Sequence, residues 1–339
     1  MSIRLEDIAR KLKLSIATVS RAMADDKRVK AETKKLVKAK AKEMGYKQNL
    51  IAKSLSSGKT GVIGVIIPRY DEPFFIEVCR GINQYARKHN YRILISSSMN
   101  SIEYEKENIL TFEKGIVDGV IISLTHETNT YDHIKELISL NLPVVMFDNY
   151  HECLPDTGHV KIDDQKAASQ TVDYLINKGN KNIGFIGGTA KKSVFNNRFD
   201  GYIKALTDAQ IHYNENLVLF CKSIHQKNEY REICEFVENL KIMPDAFFCL
   251  TDNYAILLIK ILTNLNINVP NEVEVIGFGD LNYSKMLTPE LTSVSQPSFK
   301  MGDTAAEMIL NKIKNGFYVA DGSQEVILPT YLTERATTT

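Results

Sequence analysis

Six residues in one short stretch carry the chain's plainest chemical signal: Ser15, Ile16, Ala17, Thr18, Ser20 and Arg21, within LEDIARKLKLSIATVSRAM. A serine hydroxyl can accept from an unsatisfied backbone N–H and so start a helix at Ser15. Thr18 and Ser20 then offer hydroxyls, and Arg21 offers a planar guanidinium that can donate two parallel hydrogen bonds to guanine O6 and N7. Ile16 and Ala17 can make only apolar contact, as to a thymine methyl. A helix, a tight turn and a second helix with an exposed first turn have the spacing of a helix-turn-helix, with the small Ala9 where the helices would cross. A plain helical hairpin with a solvated charged face has the same spacing, so this stretch alone leaves both readings open.

Spacings that would support catalysis fail elsewhere. Gly58, Lys59 and Thr60 imitate the end of a phosphate-binding loop, but the pattern needs a glycine at position 53, where Lys53 stands, and a strand rather than a helix follows. There is no G-x-S-x-G or H-E-x-x-H, and the seven histidines are scattered with no i, i+4 pair beside a carboxylate. No catalytic residue, metal ligand or cofactor is expected. The five cysteines (Cys79, Cys153, Cys221, Cys234, Cys249) are odd in number and lack a C-x-x-C, which suits reduced thiols in a cytoplasm.

Composition narrows the class further. Lys plus Arg is 42 and Asp plus Glu is 41, yet residues 1–60 hold 16 basic against 6 acidic residues, leaving 26 against 35 for the rest. A basic head on an acidic body points the head toward a polyanion. No run approaches the roughly 18 to 20 apolar residues of a membrane helix, and MSIRLEDIARK has no apolar signal region, so a cytoplasmic chain without membrane contact is expected.

Three helices must position the first site. Leu5, Ile8, Ala9 and Leu12 keep a helical period, Ser15 opens a second run through Val19 and Met23, and a third from Ala31 to Met44 sets Leu36, Val37 and Ala41 on one face before Gly45 stops it. A polar linker follows. From Gly61 the pattern becomes strand-helix repetition: GVIGVII, YRILIS, VDGVIIS and LPVVMF, restarting near residue 160 with HVKID, KNIGFIG, DAFFCL and EVEVIGF. Continuous β-branched runs between helical periods predict buried parallel sheets in two α/β lobes, with a cleft at the carboxyl ends of the strands.

The head, together with GVIGVIIP, PVVMFDN, KNIGFIGG, NNRFDGY, TDNYA, VPNEVEVIGF, LTSVSQP and LPTYLTER in order, resembles the lac repressor / galactose repressor family of bacterial transcription regulators over nearly the whole chain. The resemblance implies a three-helix helix-turn-helix domain over residues 1–47 and a hinge helix with linker over 48–60. A two-lobed α/β effector domain with parallel sheets, resembling periplasmic binding proteins, would fill 61–339. Lobe 1 would span about 61–159 and 295–322, and lobe 2 about 160–293 and 323–332. It places Ser15, Ile16, Ala17, Thr18, Ser20 and Arg21 on DNA, with Asn49, Ala52 and Leu55 of the hinge in the minor groove, where paired leucines can wedge a base step. Gln48 departs from the family, which normally has proline there, so the hinge is less pre-set for its first turn.

By the same resemblance Phe74, Asp148, Arg198, Asp252, Asn253 and Asp280 would bind a small effector, commonly a sugar or sugar phosphate and in some members a purine. Gly279 stands where the family often has its acidic residue, shifting Asp280 along by one, and Asp163 and Asp164 are alternatives suited to capping a helix. The chain ends shortly after LPTYLTER without leucine heptads, so a homodimer on a pseudo-palindromic double-stranded operator is expected, repressing carbohydrate genes. A sugar-binding protein whose basic head serves a non-DNA partner, and an α/β enzyme, are the readings from other classes.

Overall fold

A computed structural model describes residues 3–46, 58–151, 154, 156–188, 194–222, 226–315 and 324–338. Gln48, Asn49, Ala52 and Leu55, on which the hinge expectation rests, lie outside the described residues. The chain divides into two compact units, residues 1–60 and 61–339.

In the first unit, α1 (Leu5–Leu12), α2 (Ile16–Met23) and α3 (Ala31–Glu43) enclose Ile8, Ala9, Val19, Ala22, Val37 and Ala41. Lys13 takes a left-handed conformation (φ 55°) and ends α1, and Gly45 (φ 69°) follows α3 as its spacing predicts. Leu36 departs from the expected face and is 53% exposed. Successive helix residues turn by about 100°, so the i, i+4 pair Val37 and Ala41 sets the buried stripe and carries Leu36 off it.

The second unit holds two six-stranded sheets. The first contains β1 (Val62–Ile67), β2 (Arg92–Ser97), β3 (Gly119–Ile122), β4 (Val144–Phe147), β5 (Gly158–Ile162) and β11 (Gln324–Leu328), in the order β11-β5-β4-β3-β1-β2, all parallel. The second contains β6 (Ile183–Gly188), β7 (Val218–Cys221), β8 (Ala246–Cys249), β9 (Glu274–Gly279), β10 (Thr292–Ser295) and β12 (Tyr331–Thr333), in the order β12-β10-β9-β8-β6-β7. It is parallel except where β12 runs antiparallel to β10. Helices α4 (Pro73–Lys88), α5 (Ile102–Phe112), α6 (Asp132–Ser139), α7 (Asp164–Asn177), α8 (Val194–Asp208), α9 (Gln226–Glu238), α10 (Asp252–Asn264) and α11 (Ser298–Asn315) connect the strands.

Two lobe boundaries differ from the expectation. HVKI was expected to open the second lobe at about residue 160, but β5 pairs with β4 through Val145↔Gly158 and Phe147↔Val160, so the first lobe keeps it. Residues 324–328, expected in the second lobe, pair with β5 as β11 in the first. The chain therefore crosses after Ile162, between Ser295 and Ser298, and between Leu328 and Tyr331. An apolar run marks a buried strand but not which neighbour it will bond, which is why the pattern misplaced both. β7 is an apolar run as well, VLFC, and lies at the edge of the second sheet, where all of it but Cys221 is only partly covered.

Helix pairs in each lobe meet at glycines. A Cβ on Gly302 of α11 would lie 1.9 Å from the Val78 carbonyl oxygen of α4, and one on Gly81 of α4 would lie 2.1 Å from that of Phe299. In the other lobe, a Cβ on Gly201 of α8 would lie 2.3 Å from the Gln165 carbonyl oxygen of α7. Backbone therefore packs on backbone at both crossings. Replacing glycine by alanine inside a helix normally stabilises by about 0.5 to 1 kcal/mol. Gly302→Ala is expected to reverse that sign and destabilise by about 1 to 3 kcal/mol, as overpacked sites do, and urea denaturation of the full chain reads the sign directly.

Candidate DNA-reading face and effector cleft

Ser15 caps α2 by accepting from Thr18 N at 3.1 Å, and its hydroxyl lies 2.8 Å from Thr18 Oγ1. These two candidate contacts thus hold each other and stiffen the helix start. Ile16 is half exposed, and Ala17, Ser20 and Arg21 are exposed beside it. Neighbouring acidic groups are matched by other cations: Asp25 by Lys38 at 2.6 Å, Asp26 by Arg28 at 2.6 Å and Glu43 by Lys40 at 2.8 Å. Arg28 holds the Asp26 carboxyl well below the usual carboxylate range. Arg21 makes no hydrogen bond or ion pair among the described residues, so its guanidinium stays available to an outside acceptor.

In the second unit the carboxyl ends of both sheets face one cavity of about 160 Å³. Phe74 enters from the first turn of α4, Asp148 from the end of β4, Arg198 from α8 and Asn253 from α10. Pro73 at the start of α4 supplies the fixed φ a first helical turn needs, which sets Phe74 at the cavity wall. Open α/β sheets bind ligands at this end because the strand-to-helix loops converge there.

Arg198 is buried and dominates the floor. Its Nε donates to Asp164 Oδ1 at 2.7 Å, its Nη1 donates to the Leu250 carbonyl at 3.0 Å, and its guanidinium lies 3.8 Å from the Phe278 ring centre. Nη2 has no intramolecular acceptor among the described residues. Asp163 caps α7 through Lys166 N at 3.0 Å, while Asp164 turns inward to Arg198. Burial pushes the Asp164 carboxyl up against the opposing pull of Arg198.

Asp148 faces the cavity with a different balance. Among the described residues no hydrogen bond or ion pair reaches its carboxylate. Burial, with the charge of Asp164 next, raises its pKa from 3.8 to about 7; Arg198 opposes this and Glu72 adds to it. Burial also pushes Glu72 up. His126, after β3, is pushed down to about 4 by burial and by Arg198, and so stands neutral.

Two expected cleft residues serve elsewhere. Asp252 is fully buried and accepts from Leu281 N at 2.8 Å and from the hydroxyls of Ser284 and Ser293, tethering the loop after β9 to α10. Asp280 pairs with Arg335 at 2.6 Å, beside the chain's last strand. Their motifs mark strand ends correctly, but side-chain direction there is set by the local turn: Asp280 itself has φ 48°. The cavity is instead completed by Arg69, Glu72, Asn100, His126, Glu229 and Gln296. Arg69, Asn100 and His126 follow β1, β2 and β3, so the strand-end rule could have found them; Glu229 lies within α9, where no such signal exists.

A helix-turn-helix head joined in one chain to a two-lobed α/β domain is the architecture of a DNA-binding regulator. A family model described as bacterial regulatory proteins, lacI family, matches residues 4–49, and one described as a periplasmic binding protein-like domain matches residues 172–338. The HTH-type transcriptional regulator RegA of Clostridium saccharobutylicum is 35% identical over 316 residues, covering 91% of this chain and 92% of that protein. Catabolite control protein A of Priestia megaterium is 33% identical over 313 residues, with 91% and 92% covered. The lac repressor dimer bound to operator and the anti-inducer ONPF superposes with a TM-score of 0.87 over 100% of this chain and 99% of its own, at 21% identity, and so shares the fold. The chain belongs to the lacI family and is a DNA-binding transcriptional regulator.

Two variants test the cleft's electrostatics. Arg198→Met leaves Asp164 buried without its cation and is expected to cost about 3 to 5 kcal/mol in denaturant unfolding, as broken buried pairs do. For Asp148 the fold raises the pKa, so the folded state holds the proton more tightly than the unfolded chain, and ionisation costs stability as pH climbs from about 4 to about 7. Asp148→Asn is therefore expected to gain stability over wild type through that window and keep the gain above it. A difference independent of pH would show an ordinary carboxylate.

Proposed function

We propose that this regulator represses carbohydrate-utilisation genes as a homodimer on a pseudo-palindromic operator, and that a small sugar-like effector in the cleft controls its grip on DNA. One observation carries the effector reading. The open Nη2 of Arg198, the unbonded carboxylate of Asp148 and the ring of Phe74 surround a single cavity. Donors and acceptors around an apolar face suit a polyol, whose hydroxyls both donate and accept and whose ring has an apolar side. The volume of about 160 Å³ is below the roughly 300 to 1,000 Å³ of drug-sized pockets, which favours one ring over a nucleoside.

The DNA side of the proposal rests on Ile16, Ala17, Ser20 and Arg21 as the exposed reading face, with Asn49, Ala52 and Leu55 as minor-groove contacts of the hinge. One head reads a half-site weakly, and a twofold dimer raises the effective concentration of the second. Control requires only that the effector prefer one lobe arrangement and that this arrangement bind operator with a different affinity. The name of catabolite control protein A ties that relative to catabolite control, in keeping with carbohydrate genes here. In this reading the chain is no enzyme, and it needs no cofactor.

In vitro selection of the full chain against random duplexes is expected to enrich a pseudo-palindrome with a flexible central step. On that site Arg21→Ala should weaken binding by about 1 to 3 kcal/mol and relax preference at one base pair per half-site. An unchanged preference would remove Arg21 from base reading, and enrichment of no site would sink the dimeric operator model.

A further inference from the structure

Among the described residues the cleft is short of positive charge. Asp71, Glu72, Asp148 and Glu229 line it and Asp164 lies at its floor, against two described guanidiniums, Arg69 and Arg198. Both are engaged: Arg69 donates to Asp71 from Nε at 2.8 Å and from Nη2 at 2.5 Å and lies 3.6 Å from Glu72, while Arg198 is held by Asp164 and the Leu250 carbonyl. His126 is neutral and adds no charge at pH 7.

Its hydrogen-bonding balance leans the same way. Asn100 Oδ1 is buried at the cavity with no hydrogen-bond partner, and the Asp148 carboxylate likewise has none among the described residues. Two residues lining one small cavity thus each hold an acceptor that lacks a donor, and a buried acceptor without a donor costs free energy that a donor-bearing ligand restores. Around Asp148 the charged groups are Asp164 from α7, Glu72 at the start of α4 and Arg198 from α8. Two of the three are carboxylates. An anion such as a phosphorylated sugar would meet like charge in a low-dielectric site, whereas an ammonium supplies three donors and the missing charge at once.

We propose that the effector carries a protonated amine, seated at Asp148 with Asn100 Oδ1 as a further acceptor, so that an amino-substituted polyol is preferred over its neutral and phosphorylated counterparts. This rests on the cleft being the effector site proposed above. Arg198 Nη2 then takes a hydroxyl, and the amine does what no described side chain in the cavity does.

Calorimetry on the full-length protein at pH 7 tests this with glucosamine, galactosamine and mannosamine, each beside its N-acetyl form, its parent hexose and the hexose 6-phosphate, and with putrescine as an amine that is not a sugar. The expected result is at least about tenfold tighter binding of one amino sugar than of its three counterparts. Asp148→Asn, checked for folding by its melting curve, should bring that ratio close to one. Equal or tighter binding of a neutral or phosphorylated sugar overturns the amine while leaving the sugar reading intact. Binding of putrescine alone keeps the amine and removes the sugar. No binding by any probe up to about 10 mM overturns the proposal, as does an amine preference that survives in Asp148→Asn.

Discussion

The binding domain is organised around one buried ion pair, Arg198 with Asp164. Taking both charges out of water is costly, and the arrangement is tolerable because each remaining direction of the guanidinium is used: a carbonyl at the end of β8, an aromatic face at the end of β9, and the cavity. Asp164 stands in the first turn of α7, where the helix N-terminus favours an anion, and that turn immediately follows the first crossing between lobes. A single side chain on α8 therefore ties two strand ends and a crossover together and sets the electrostatics felt by Asp148 and His126.

What surrounds the pair makes each lobe a firm body. Each sheet is completed by strands remote in sequence, β11 beside β5 in one and β12 beside β10 in the other, and α11 returns to pack on α4 through Gly81 and Gly302. Because the chain crosses between lobes three times, the lobes cannot part, and the freedom left to them is a change of angle about those crossings. A cleft opening on that boundary is where a small ligand gains most from preferring one angle over another.

The two units meet different physical demands. Among its described residues the head has a small apolar core of six buried side chains, and Asp25, Asp26 and Glu43 are matched by Lys38, Arg28 and Lys40 while Arg21 makes no ion pair. The binding domain buries its charges and leaves some acceptors unmet, which is a state a ligand can relieve. Membership in the lacI family and the fold shared with the lac repressor fit this division.

Period and end signals made the local architecture legible. Ser15 as a cap, Gly45 as a stop, and eight apolar runs as strands could all be read because each depends on residues adjacent in the chain. Four of six expected cleft residues, Phe74, Asp148, Arg198 and Asn253, line the cavity because strand ends converge in any open parallel sheet. Only the tertiary structure decided the rest. It assigned β5 and β11 to the first sheet, withdrew Asp252 and Asp280 into internal hydrogen bonds and an ion pair, and brought Glu229 to the same cavity. Strand pairing and side-chain partners join residues far apart in the chain, so no local pattern encodes which of two equally apolar neighbours a strand will bond or which carboxylate an arginine will reach.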